Sequence, residues 1–387
     1  MRSLLPHPFA SLFVSAFMAC SSTEPSVATV GPGETPDADA GLEPDAAPAS
    51  SAECVAQAER LQAALDASRG KSTGAALAVS TPECGRWIGV SGQATKREPL
   101  ATDDVWRIGS TTKTYVAATA LSLVEDGIVS LDDTVERWLP AAVPGGASIT
   151  VRQLLNHTSG LAEYVTLSTF RTQLQAEPLR RWAPAELVAL AVAAAPTGAP
   201  GARWAYTNTG YVLLGMLLEV ASGRPLAELV RERTYGKLAL ELTSFAGADP
   251  LRGRLAHGYS ATGADYTSEL DPSAFWSAGA MVASLGDVVA WSDALYGSDR
   301  VLNASSRAAM VEQAVATGEK GIGYGLGVIV ISAPLLDGDS GLGHGGDIPG
   351  YHSQLFYVPS RRLSLAAIVN RDGVDVNELV VAAFAAL

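Results

Sequence analysis

Ser110-Thr111-Thr112-Lys113 places a hydroxyl and an amine three residues apart at the start of a segment patterned as a helix. Positions i and i+3 share a helix face, so the Lys113 amine is expected beside the Ser110 oxygen. An unprotonated amine there takes the serine proton as the oxygen attacks a carbonyl, which makes a weak nucleophile effective. The helix is read from Tyr115, Val116, Ala117, Ala120, Leu121 and Val124, apolar at helical spacing, with Gly127 as its stop. A helix N-terminus also favours developing negative charge. The tetrapeptide is weak evidence alone, because Ser68-Arg69-Gly70-Lys71 has the same spacing. There Gly70 interrupts the run and a strand pattern from Thr73 to Ser80 follows, so nothing holds the two side chains together. The plain structural alternative for Ser110 is an ordinary N-cap serine.

A second motif, Tyr206-Thr207-Asn208, is the only Tyr-x-Asn in the chain. Tyr206 and Asn208 read as strand or loop residues facing one cleft, ahead of a helix from Tyr211 to Ala221 closed by Gly223. A tyrosine flanked by cationic groups loses its proton more readily and serves as base, then as acid toward the leaving group. The bland alternative is a core tyrosine with a turn asparagine. The third element is Gly343-His344-Gly345-Gly346-Asp347-Ile348-Pro349-Gly350, ahead of a strand from His352 to Val358. Its glycines let a backbone approach a ligand closely, and a backbone N–H there suits half of an oxyanion hole. The alternative is a glycine-rich hairpin connection. Gly341 to Gly346 also fits Gly-x-Gly-x-x-Gly, but a dinucleotide fingerprint opens a helix, and here Pro349 and a strand follow.

The three elements in this order resemble the serine β-lactamase and D,D-peptidase superfamily, of which Ser-x-x-Lys is a signature. Tyr-x-Asn makes the chain similar to the class C β-lactamase branch, which also holds D-alanyl-D-alanine carboxypeptidases and esterases. Leu154-Leu-Asn-His-Thr-Ser-Gly-Leu161, Tyr324-Gly-Leu-Gly327 and Ala278-Gly-Ala-Met-Val-Ala-Ser284 with Asp287 are similar to stretches of that branch, from about Ala56 to the C-terminus. The resemblance implies an acyl-enzyme. Ser110 attacks an amide or ester carbonyl, Lys113 and Tyr206 share the proton transfers, and Asn208 orients Lys113 and the substrate amide. The backbone N–H groups of Ser110 and Asp347 then form the oxyanion hole, and Gly346 is among the substrate-binding residues. His344 is expected to bind a substrate carboxylate or to tune Tyr206. Class C β-lactamases carry Lys-Thr-Gly where this chain has His344-Gly345-Gly346, and Gly345 offers no hydroxyl. Ester or D-alanyl substrates are therefore expected to turn over better than cephalosporins, and Gly345→Thr is expected to raise β-lactam turnover. Between Lys113 and Tyr206, the main base stays open.

Rival chemistries are poorly represented. There is no His-Glu-x-x-His, Cys-x-x-Cys or P-loop. The five histidines, His7, His157, His257, His344 and His352, include no close pair on a helix, so no metal and no cofactor is expected. His157 is read as part of a structural turn, Asn156 to Gly160, rather than as a base. No basic stripe suggests nucleic acid. Two other classes compete: a penicillin-binding sensor that acylates without turning over, and a structural envelope lipoprotein, which would need none of the three motifs.

Arg2 and the apolar run Pro8 to Ala19 read as a signal peptide over residues 1–19. Ala19-Cys20 resembles a bacterial lipoprotein box, which implies lipid on Cys20, a membrane anchor and a location in the cell envelope; ordinary cleavage nearby is the alternative. Residues 20–52, rich in Pro, Ala, Ser, Asp and Glu with no Lys or Arg, read as a disordered acidic tether. Glu24, Glu34, Asp37, Asp39, Glu43 and Asp45 lie in it and supply much of the net charge of −13, leaving a mildly acidic domain over 53–387. If Cys20 is lipidated, Cys54 and Cys84 remain, and in an oxidising compartment a bridge between them is expected rather than two buried thiols.

About 335 residues follow the tether, enough for a large core. Strand patterns cluster at both ends: Gly74 to Ser80, Gly85 to Val90, Gly325 to Ile331, His352 to Val358 and Leu363 to Asn370. Short connections at Thr81-Pro-Glu83 and Pro359-Ser-Arg-Arg362 require antiparallel pairing. The expected fold is α/β: an antiparallel sheet from both chain ends, flanked by helices Ala56 to Ala67 and Asn377 to Leu387, with a mostly helical second lobe. The motifs would meet in the cleft at the lobe boundary. The partner is a small-molecule or peptide substrate with a carbonyl; the oligomeric state is not legible.

Overall fold

Residues 51–336 and 338–387 are described by a computed structural model. The signal-peptide and lipid-anchor readings, and the tether up to residue 50, fall on residues outside this range; at the tether's expected end, Ser51 caps α1 and Ala52 is its first residue. Among the described residues there are eleven strands: β1 (Gly74–Thr81), β2 (Gly85–Gly92), β3 (Val105–Arg107), β4 (Ser244–Phe245), β5 (Met281–Ser284), β6 (Val315–Ala316), β7 (Ile322–Tyr324), β8 (Ile329–Leu336), β9 (Asp339–Ile348), β10 (Tyr351–Val358) and β11 (Leu363–Val369). Eight form one sheet in the order β2-β1-β11-β10-β9-β8-β7-β6, and β3, β5 and β4 form a small second sheet. The helices are α1 (Ala52–Ser68), α2 (Thr112–Glu125), α3 (Val135–Trp138), α4 (Val151–Leu155), α5 (Ser168–Ala176), α6 (Pro184–Val192), α7 (Asn208–Ser222), α8 (Leu226–Arg233), α9 (Leu285–Gly297), α10 (Ala304–Glu312) and α11 (Val376–Ala386).

The sheet joins the chain ends as the pattern predicts, with β1 antiparallel to both β2 and β11. Successive strand residues face opposite sides. On β1, Ala75, Leu77 and Val79 face one core with Leu61 and Leu65 of α1 and Leu379, Val380 and Ala383 of α11; Ala76 and Ala78 face the other core, with Val289, Trp291 and Leu295 of α9. β10 and β11 are buried along their whole length; β11 reads as a nearly continuous apolar run, whereas β10 carries the buried polar residues His352, Ser353 and Gln354 in its first half. Helices α2 to α8 build the second lobe. Its centre is α2, buried from Thr112 to Leu123, with Tyr115 stacked on Trp291 of α9 at 4.1 Å between ring centroids.

Three local expectations are corrected. The strand expected from Gly325 to Ile331 begins only at Ile329, as β8, and Gly325-Leu326-Gly327 forms the turn that joins it to β7. Gly327 has φ +78° and packs against Ala117 of α2 with no room for a side chain, so the backbone must turn there. The glycines of the third motif do not form a hairpin connection: Gly341 to Gly346 lie within β9, and the turn to β10 is only Pro349-Gly350. A side chain at Gly343 would collide with the Leu355 carbonyl of β10 and one at Gly346 with the Ile108 carbonyl, so glycine is what lets β9 approach its neighbours. Asn208, expected on a strand or loop, is the first residue of α7, capped by the Thr207 side chain.

Cys54 of α1 and Cys84, ahead of β2, are joined by a disulfide that closes a 30-residue loop. Replacing both with serine is expected to lower stability by about 3 to 4 kcal/mol in the chain-entropy account. Denaturant unfolding measures this, and kcat should be unchanged because the bridge touches none of the candidate catalytic side chains.

Candidate active site

Ser110 lies in a 3₁₀ turn, Gly109–Thr111, that leads directly into α2. Gly109 has φ +53°, and a β-carbon there would stand 2.8 Å from the Asp347 nitrogen, so the nucleophile loop and β9 approach backbone to backbone. The Ser353 hydroxyl of β10 donates to the Ile108 carbonyl at 3.0 Å and ties the same loop to the sheet. Three stretches distant in sequence converge on Lys113: its Nζ donates to Ser110 Oγ at 3.0 Å, Asn208 Oδ1 at 2.7 Å and the Ala278 carbonyl at 2.8 Å. Burial pushes the amine down to about 7, and the negative charge of Glu163 partly opposes that fall. As a neutral amine, Lys113 has two hydrogens for Asn208 and Ala278, and its lone pair then faces Ser110 Oγ.

The Tyr206 hydroxyl is hydrogen-bonded to the Ser110 side chain, and the Lys113 Nζ stands 4.9 Å from the centre of its ring. Contrary to the sequence reading, burial raises Tyr206 well above its ordinary value, the Ser110 bond offsets only part of this, and the charge of Glu163 adds to it. Tyr206 is a neutral phenol at neutral pH. His157 also differs from a plain turn residue. It has φ +60°, is fully buried, accepts the Thr207 N–H at 3.2 Å and lies 4.2 Å from the Tyr206 ring, so it holds the tyrosine in place. Burial keeps it neutral.

His344 is buried, and both its ring nitrogens are engaged: Nδ1 donates to the Gly345 carbonyl at 2.6 Å, and Nε2 accepts from the Tyr324 hydroxyl at 2.8 Å. Burial, with the Lys113 charge nearby, pushes it down to about 3. Neither ring nitrogen is free for a substrate carboxylate, and the ring stands 6.4 Å from that of Tyr206 in the same aromatic wall. Asn370 is locked to the Gly74 N–H and the His257 carbonyl, and Arg371 to the carbonyls of Lys71 and Ala261. At Gly345, a β-carbon would lie 3.1 Å from the Gln354 carboxamide, so threonine there would require that side chain to shift. Gly346 and Asp347 flank the nucleophile loop as expected from their place on β9. Ser68 and Lys71 lie at the end of α1, with Gly70 at φ +55° between them. Among the described residues no group of three His, Cys, Asp or Glu side chains is placed to hold a metal ion.

Glu163 was not singled out by any motif. Its carboxylate accepts the Asn208 N–H, the Asn208 Nδ2–H at 3.3 Å and the Val165 N–H at 2.9 Å. It therefore orients the asparagine that holds Lys113. An acidic residue on the loop after Leu154-Leu-Asn-His-Thr-Ser-Gly-Leu161 was the available signal, and its spacing to Asn208 has no local pattern.

A buried serine with an amine lone pair and a phenol directed at it defines a serine hydrolase that works through its own hydroxyl. The comparisons agree. The β-lactamase family model matches residues 55–387, and the chain belongs to that family. It is 26% identical over 298 residues to penicillin-binding protein 4* of Bacillus subtilis, covering 72% of this chain and 64% of that protein, a little under two thirds of its length. The structure of a D-stereospecific amidohydrolase from Streptomyces sp. superposes with a TM-score of 0.76 at 33% identity, covering 85% of this chain and 99% of that one. A D-amino acid amidase from Ochrobactrum anthropi SV3, complexed with D-phenylalanine, matches with a TM-score of 0.76 at 27% identity, over 85% and 98%.

Glu163→Gln is expected to move the acid limb of the kcat/KM profile to lower pH, because the charge that raises the Lys113 pKa is lost. Loosening Asn208 should also lower the plateau by roughly ten- to a hundredfold. Initial rates against pH check both, and an unshifted limb would show that Lys113 is not the titrating base.

Proposed function

We propose that this protein is an exported hydrolase of D-amino-acid amides and D-amino-acyl peptides or esters, acting through an acyl-enzyme on Ser110. The observation that carries the substrate class is His344: neutral and bonded on both sides, it leaves the third motif without a cation for a substrate carboxylate, as β-lactams and carboxypeptidase substrates would need. The likeness to the D-stereospecific amidohydrolase and the D-amino acid amidase supports amides as the substrates and D as the configuration.

In the proposed reaction the Lys113 amine takes the Ser110 proton while Oγ bonds to the carbonyl carbon. The oxygen that becomes negative is held by the backbone N–H groups of Ser110 and Asp347. The Tyr206 phenol gives its proton to the leaving nitrogen as the C–N bond breaks, and the Lys113 ammonium returns a proton to Tyr206. Water then adds to the ester by the same route and releases Ser110. A high pKa suits Tyr206 to this order, since it stays protonated until the leaving group needs the proton.

A purified-protein panel tests the reading. The amide of D-phenylalanine or D-alanine should show kcat/KM at least about tenfold above its L enantiomer, a D-alanyl-D-alanine peptide and a cephalosporin. Equal or faster cephalosporin turnover would refute it, and a stoichiometric burst without turnover would mark a penicillin-binding sensor instead. A fluorophosphonate adduct should map to Ser110, and Ser110→Ala or Lys113→Ala should each lower kcat by roughly 10³-fold or more, with the double variant hardly worse.

Export is part of the same proposal, from Ala19-Cys20 at the end of the apolar run. The mature protein should partition into detergent with acyl chains on Cys20, and Cys20→Ser should release it with its hydrolase activity intact. A water-soluble, unlipidated mature N-terminus would count against the anchor.

A further inference from the structure

His352 of β10 sits between two carboxylates from different parts of the chain. Asp347, its cross-strand partner on β9, lies 3.0 Å from Nδ1, and Asp372, beyond β11, lies 3.3 Å from Nε2. The three side chains are only 10%, 12% and 15% exposed, so water screens them poorly. Asp372 also accepts the Gly350 N–H at 2.7 Å, in the turn between β9 and β10. Gly350 has φ +82° and packs on the backbone of Gly258 and Tyr259, which leaves that turn little freedom. One carboxylate thus ties both the turn and the imidazole ring.

The neighbours of this cluster are what give it consequence. Asp347 supplies the proposed oxyanion donor from its backbone, while the negative charge of its own carboxylate is felt in the site, where it adds to the rise of the Tyr206 pKa. Unopposed, such a charge raises the barrier. Ser353, next to His352, holds the nucleophile loop through the Ile108 carbonyl. With an imidazolium the cluster carries one net negative charge, and with a neutral ring it carries two.

We propose that His352 is a positioning residue of this hydrolase: clamped between Asp347 and Asp372, it holds the Asp347 carboxylate away from the nascent oxyanion and fixes the β9–β10 turn against the nucleophile loop. The inference rests on the acyl-enzyme reading. Burial alone would lower the His352 pKa, but the two carboxylates overcome this and raise it to about 9, so the ring is cationic at neutral pH. The other charged groups around the turn are the His257–Asp265 pair at 2.7 Å, on the loop packed over Gly350, and Arg107 of β3, which donates to the Thr267 carbonyl; Arg107 and Asp265 act on Tyr351. Because the folded-state value lies above the ordinary 6.5, the favourable contribution of the clamp is full below about pH 6.5 and is lost as pH rises through about 9.

The test uses the full chain with a D-amino-acid amide, measuring kcat and KM from about pH 6 to about pH 10, with thermal melting as a control on folding. His352→Gln should lower kcat by roughly ten- to a hundredfold with KM changed less than about twofold, and it should abolish the alkaline descent near pH 9 expected of the wild type. Adding Asp347→Asn to His352→Gln should recover much of the lost kcat, because the charge that His352 offsets is then gone. If His352→Gln fails to fold, Asp372→Asn tests the same clamp: losing one carboxylate should move the alkaline descent to lower pH. An unchanged kcat and alkaline limb in His352→Gln, a loss that Asp347→Asn does not relieve, or an unmoved limb in Asp372→Asn overturns the proposal. A missing adduct on Ser110 in the wild type would instead overturn the acyl-enzyme reading and this inference with it, whereas failure of this inference alone leaves that adduct intact.

Discussion

The buried amine of Lys113 is the interaction on which the site depends. A fully buried lysine far from any directly bonded carboxylate is costly in its charged form, and desolvation moves its proton affinity close to neutral pH. What keeps it in place is a set of three acceptors, Ser110 from the start of α2, Asn208 from the start of α7 and the Ala278 carbonyl ahead of β5. These come from three stretches far apart in sequence, so the amine is satisfied only when those stretches are packed together. The same packing that builds the core of α2 therefore creates the base, and folding and activation of the serine are one event.

The second constraint is close approach. β9 reaches the nucleophile loop because glycine occupies Gly109 and Gly346, where any β-carbon would meet backbone. That proximity brings the Asp347 nitrogen against Gly109, the residue before Ser110, and accounts for a glycine-rich stretch inside a regular strand. It also leaves the aromatic wall of His157, Tyr206, Tyr324 and His344 to fill the space behind the tyrosine.

Two histidines near the same strand pair show how surroundings choose the charge of one residue type. His344, between a phenol and a carbonyl in an aromatic setting, is held neutral. His352, on the adjacent strand and between two carboxylates, is held cationic. Burial acts downward on both, and only the presence of fixed negative charge reverses the outcome.

The sequence by itself determined the contact between the candidate nucleophile and its partner, because Ser110 and Lys113 are one helical turn apart and local periodicity is enough to put them on one face. It also determined the β1–β2 and β10–β11 hairpins, since their short connections require antiparallel neighbours. The order of Ser-x-x-Lys, Tyr-x-Asn and His-Gly-Gly was legible as a family pattern. Tertiary structure alone decided that Tyr206 stays a phenol, that His344 is neutral and turned inward, that Glu163 stands behind Asn208 and that His157 braces the tyrosine. Charge state and side-chain direction follow from desolvation and from groups brought together across many residues of chain, and no local spacing records either.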